Sequence, residues 1–221
     1  MSCIQQSIHC NCLLRIAGHT QFNTHTTVWI VGSSIIKNAF VASKERSCGV
    51  NLGLRRLDVS IWWKDKSGAR LWDVKGQIKT MLKYEEAPRI IIIHIGGYLD
   101  AKTLCERIKE VLIWAHGLLP HIMLVWYQIL PRLSWRYSTN LNAMDRSRNR
   151  IHTSITSFLN MSFGSYIRYP EIKMDQKYFV EDGVHLSNLG CRIFLNTLQG
   201  GIEMIRMKWG DNVTFPEIHR K

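Results

Sequence analysis

The run Ile90–Ile95 reads Ile-Ile-Ile-Ile-His-Ile, with nothing polar before His94. A β-branched stretch without alternation suits a strand buried on both faces, and such strands belong to parallel sheets covered by helices on either side. The rest of the chain agrees. Val28–Val31 is a short apolar run closed by Gly32-Ser33-Ser34, and Ile35–Lys44 then follows helical spacing. Leu57–Trp63, Ile122–Tyr127 and the short Ser165–Arg168 read as further strands. Helical patterns occupy Val74–Tyr84, Ala101–Leu118, Asn140–Asn160 and Asn188–Met207. Strands alternating with helices give right-handed βαβ units and a parallel sheet. The expected fold class is α/β: a three-layer α/β/α sandwich with about five parallel strands. It occupies residues 28–207 as one domain, between a loose N-terminal extension at 1–27 and a C-terminal tail at 208–221.

The size of the chain, 221 residues with 46% apolar content, allows a full core without disulfide or metal staples. No apolar run exceeds six residues, far too short to cross a bilayer, so no membrane span is expected. Leu13-Leu14 is followed at once by Arg15, which leaves no apolar segment of secretory type and points to an intracellular, cytoplasmic protein. The formal charge is +12. Residues 1–83 carry twelve Lys/Arg against four Asp/Glu, and residues 84–221 carry seventeen against thirteen. A basic half can attract polyanions such as nucleic acid. No nucleic-acid motif accompanies it, and a solvated basic face is the simpler account. Cys10-x-Cys12 beside His9 lacks a second Cys/His pair at zinc spacing, while Cys105 and Cys191 fall in helical patterns as small core residues.

In open parallel sheets ligands bind beyond the carboxyl ends of the strands. Three segments carry reactive groups to that edge: Gly32-Ser33-Ser34, Gly96-Gly97-Tyr98 and Asp182-Gly183-Val184-His185. An Asp and a His three residues apart in one loop can hydrogen-bond through Nδ1, which fixes the tautomer and leaves Nε2 as a base. Ser34 opens a helix, beside unpaired backbone N–H groups and the positive end of the helix dipole. Ser33 or Ser34 could equally serve as a helix cap. His94 and His152 are expected in the core or on the surface rather than in chemistry.

These residues resemble the first and last blocks of the SGNH (GDSL-like) hydrolases: Gly32-Ser33-Ser34-Ile35, and Asp182-Gly183-Val184-His185-Leu186-Ser187. The likeness is nearest to the hydrolase-like domains carried by animal retrotransposons. It includes Trp29–Lys37, His94–Gly97, Ile129–Arg132, Trp135-Arg136 and Phe194–Gly200, and spans roughly residues 28–203. The resemblance implies a flavodoxin-like sandwich and a serine esterase or lipase-like hydrolase acting on carboxylic esters, with no metal or cofactor. It implies Ser34 as nucleophile, His185 as general base and Asp182 as its orienter. The backbone N–H groups of Ser34 and Gly68 would donate to the oxyanion. Arg132, Trp135 and Arg136, after the fourth strand, would contact an acidic or planar substrate group. One block departs. Where the family reads Gly-x-Asn-Asp, this chain reads Gly96-Gly97-Tyr98-Leu99, so Tyr98 stands where an asparagine would be the third oxyanion donor. Losing one such donor typically costs about 10²–10³ in rate. The alternative is therefore a catalytically degenerate SGNH-fold protein of mobile-element origin, binding polyanions through its basic half.

Overall fold

A computed structural model describes residues 25–96, 100–136, 138–161 and 164–209. Five strands form one sheet in the order β2-β1-β3-β4-β5, every pair parallel. They are β1 (Thr26–Gly32), β2 (Val59–Asp65), β3 (Ile90–His94), β4 (Met123–Tyr127) and β5 (Gly164–Ile167). The helices are α1 (Ser34–Lys44), α2 (Asp73–Met81), α3 (Ala101–Leu118), α4 (Leu141–Asn160) and α5 (Asn188–Trp209). The expected α/β sandwich is what forms.

Strand alternation divides the core into two layers. Val28, Ile30, Ile90, Ile92, Val125 and Tyr127 face α1 and α5; Trp29, Val31, Ile91, Ile93, Leu124 and Trp126 face α2, α3 and α4. Every residue of β3 is buried, as its isoleucine run requires. Between the sheet and α5, the rings of His94, Phe194, Tyr127 and Tyr169 form a continuous row of contacts with centroids 4.6–5.4 Å apart. The Tyr127 hydroxyl donates to the Phe194 carbonyl at 2.8 Å, so burial leaves it satisfied. Among the described residues, no helix is long and apolar enough to cross a membrane.

Some boundaries move. β1 starts at Thr26, inside the segment read as an extension, and His25 before it bridges the Asp58 carboxylate and the Ser60 hydroxyl at 2.8 and 2.9 Å. β2 starts at Val59 rather than Leu57, because Leu54–Leu57 is a 3₁₀ turn and Asp58 takes a left-handed φ of 55°. α2 ends at Met81, and Leu82–Tyr84 form turns instead of continuing the helix. Cys191 is buried in the core and Cys105 packs at its edge, while Cys10, Cys12 and His9 lie outside the described residues.

Both core histidines are held neutral. Burial, and then the charge of Arg132, lowers the pKa of His94 to about 3. Burial, then Arg168 and Arg148, lowers that of His152 to about 4. An unfolded histidine takes up its proton near pH 6.5. Between those values the unfolded state binds more protons than the folded one, so stability falls as pH drops below about 6.5. Each histidine contributes a slope of about 1.4 kcal/mol per pH unit in its window. Urea midpoints measured at pH 7 and pH 5 should therefore fall in the wild type and fall less in His94→Leu. Equal slopes for the two proteins would contradict this.

Candidate active site

The carboxyl edge of the sheet gathers residues from opposite ends of the chain. β1 ends at Gly32, and the chain turns directly into α1 at Ser34. Gly32 is required there by space. A Cβ at this position would press on the Ile36 side chain and stand 2.6 Å from the carbonyl oxygen of His94 on β3. Its absence lets α1 begin hard against the central strands. Ser33, the N-cap residue, makes no side-chain cap bond, and the Ser34 hydroxyl is engaged elsewhere. The capping alternative for these serines is thereby removed.

The second component is the turn Val180–Ser187, pinned by a bridge between Phe179 and Leu186. Val180 N–H donates to the His185 carbonyl and Gly183 N–H to the Val180 carbonyl, each at 2.9 Å. Gly183 supplies the left-handed φ of 66° that the turn needs. Asp182 Oδ1 accepts from the backbone N–H groups of Val184 and His185, both at 2.8 Å, and Oδ2 accepts from His185 Nδ1 at 2.5 Å. Burial opposes ionisation of Asp182, but the bonds from the imidazole and from the two N–H groups outweigh it and hold the carboxyl below its usual value. Ser187 then closes the turn by capping α5: its hydroxyl accepts from Gly190 N–H at 3.2 Å.

These two components meet. His185 Nε2 lies 2.9 Å from Ser34 Oγ. With Nδ1 donating to Asp182, Nε2 carries the lone pair and the serine hydroxyl donates to it. The arrangement can abstract the hydroxyl proton and stabilise the imidazolium that results.

The backbone N–H groups of Ser34 and Gly68 make no hydrogen bond among the described residues. Gly68 is exposed, with φ 68°, three residues beyond the end of β2, whose Asp65 pairs with Gly32. Tyr98 lies outside the described residues. Arg132 stacks over Trp135 at 5.0 Å in the loop after β4, and the next residue, Leu133, donates to the Gly183 carbonyl at 2.8 Å. That bond fixes the loop after β4 against the Asp182–His185 turn; no sequence signal marks it. Arg136 is exposed and has no polar contact with the three central residues. Among the described residues no cluster of His, Cys, Asp or Glu suits a metal ion.

No family model matches the chain, and no curated protein matches its sequence. Solved structures do. The Clostridium thermocellum family 3 carbohydrate esterase superposes with a TM-score of 0.61 at 16% identity, covering 85% of this chain and 100% of its own. An acetyl esterase mutant with an acetate ion gives 0.62 at 13% identity, over 83% and 99%. A GDSL-like lipase from Bacteroides thetaiotaomicron gives 0.59 at 14% identity, over 81% and 88%. The chain has the fold of the GDSL-like (SGNH) hydrolases. Identities this low carry the architecture and no more, so for this SGNH-type fold the chemistry must be argued from its own side chains.

The junction at Gly32 offers a direct check on that geometry. Gly32→Ala should lower stability by about 1–3 kcal/mol through overpacking. Because the added methyl pushes between α1 and β3, it should also displace Ser34 from His185. A urea midpoint equal to that of the wild type would mean the helix start has slack that its contacts deny.

Proposed function

We propose that the protein is an SGNH-type serine hydrolase of carboxylic esters. The observation that carries this reading is the line of contacts from Ser34 Oγ through His185 to Asp182. Ser34 is the nucleophile and His185 takes its proton. Asp182 holds the imidazole in the required tautomer and compensates its charge after proton transfer. The Oγ attacks the ester carbonyl, the alcohol leaves with the proton returned by His185, and water activated by the same imidazole releases the acid. The backbone N–H groups of Ser34 and Gly68 are the oxyanion donors in this reading, with Tyr98 in place of the family's amide. Solved neighbours of the fold that are esterases or lipases support ester chemistry in general. The kinship with hydrolase-like domains of animal retrotransposons rests on the sequence blocks alone.

Hydrolysis of a short activated ester tests the assignment. Ser34→Ala and His185→Ala should each remove nearly all turnover, with the double variant little worse, since the pair acts as a unit. Asp182→Asn should be damaging as well, because an amide can hold the wrong tautomer. Equal rates in the wild type and Ser34→Ala would overturn the nucleophile and leave the degenerate alternative, a fold retained without catalysis.

The block at Tyr98 yields a separate expectation. An asparagine there would restore a short amide donor, so Tyr98→Asn should raise kcat by about 10-fold or more, recovering part of one donor's contribution. The gain should lie in kcat rather than KM, because the interaction strengthens only as charge develops. Tyr98→Phe separates the roles: a large loss would show that the hydroxyl already donates. A Ser34-dependent rate that neither substitution alters would remove Tyr98 from the oxyanion site.

A further inference from the structure

A cavity of about 360 Å³ opens at the same sheet edge, beyond β4 and β5, and its walls hold more charge than the ester chemistry uses. Its walls include Gln128, Pro131, Arg148, Arg168, Tyr169 and Lys173. The charges are not equivalent. Arg148 is consumed by the fold: Nε and Nη2 bond Asp145 Oδ1 at 2.9 and 2.7 Å, and Nη1 donates to the Ile129 carbonyl at 3.0 Å. That pairing also neutralises Asp145, the one carboxylate in the wall. Arg168 is different. Its Nε donates to His152 Nε2 at 2.8 Å, so a neutral side chain orients the guanidinium without cancelling its charge. Lys173 makes no ion pair among the described residues. Tyr169 is 2% exposed, and its buried hydroxyl has no hydrogen-bond partner. Burial raises its pKa well above 10, which keeps the O–H as a donor.

Two uncancelled cations in the wall of one cavity are what a bound oxyanion needs. One loop links the cavity to the candidate active site. Pro131 is in its wall, and Leu133, two residues on, is bonded to the carbonyl of Gly183 between Asp182 and His185. With strands roughly 4.8 Å apart, β4 and β5 place the cavity on the order of 10–15 Å from the end of β1. We propose that this cavity, through Arg168 and Lys173, binds a terminal oxyanion, a carboxylate or phosphate group, on the far end of the ester substrate. The substrate role rests on the hydrolase reading above; binding of the anion does not.

Ser34→Ala protein, titrated calorimetrically with inorganic phosphate and with suberate, measures binding without turnover and distinguishes the two anions. At least one should bind, and Arg168→Gln/Lys173→Gln in the same background should weaken it by about tenfold or more, the loss expected for a charge-assisted hydrogen bond. Both side chains are exposed, but Arg168→Gln strips His152 Nε2 of its donor and should lower the urea midpoint, so Lys173→Gln, which breaks no such bond, should weaken binding at the wild-type midpoint. No binding of either anion up to about 10 mM, or binding indifferent to the double substitution, overturns the site. In the active protein, the p-nitrophenyl half-esters of suberic and sebacic acid should be cleaved with higher kcat/KM than their methyl-capped counterparts of equal length. The double variant should lose that preference and retain its rate on the capped esters. Anion binding without the preference overturns the substrate role. Anion binding with no ester turnover at all leaves the site standing and removes the hydrolase reading instead.

Discussion

A sheet that must be buried on both faces governs this molecule. β3 has no exposed residue, so helices have to cover it from either side, and parallel strands require a crossover between each pair. Crossovers that keep all five strands parallel bring the carboxyl end of every strand out at the same edge. Ser34 and His185 are 151 residues apart in sequence, yet they come within 2.9 Å because both follow chain segments delivered to that edge. Gly32 tightens the arrangement by letting α1 start against the backbone of β3. The site is therefore a consequence of how the core is covered.

The side-chain chemistry divides along a boundary of solvation. His94 and His152 are enclosed, and burial keeps them neutral at physiological pH. His185 is half-exposed and anchored by a carboxylate that two backbone N–H groups already hold. A buried histidine with a depressed pKa gives up basicity to the core. One at the edge keeps access to solvent and to a partner hydroxyl. The same contrast separates Arg148, locked to Asp145 and a carbonyl, from Arg168, whose neutral His152 partner leaves its charge available.

The layer order and the residues of the edge were legible from local patterns. Isoleucine runs, helical spacing and Gly-Ser-Ser or Asp-x-x-His blocks depend on neighbours in sequence, and resemblance to a known family supplied their pairing across the chain. What stayed hidden depends on contacts between distant segments. Leu57 looks like the start of a strand, but it ends a 3₁₀ turn and Asp58 follows it in a left-handed conformation. The bond from Leu133 to Gly183 joins two loops with no shared pattern. Arg168 and Lys173 were two charges among 29 basic residues, and only the cavity that Tyr169 lines sets them apart.

Low identity sharpens the functional inference. At 13–16% identity, neighbours share how strands and helices pack, which many sequences satisfy with different side chains. A hydroxyl, an imidazole and a carboxylate in hydrogen-bonded line are not demanded by that packing. Ser34 does not cap its helix, Gly183 adopts a left-handed turn, and the N–H groups of Ser34 and Gly68 remain unspent. Of these only the unused cap forgoes local stability, since a left-handed φ selects glycine and the first N–H groups of any helix lack intrahelical partners; all lie at one edge of the sheet. Departures from local consistency are expected where a structure gives up stability for chemistry. Core packing explains why the sheet exists; it does not explain why these groups converge at its rim.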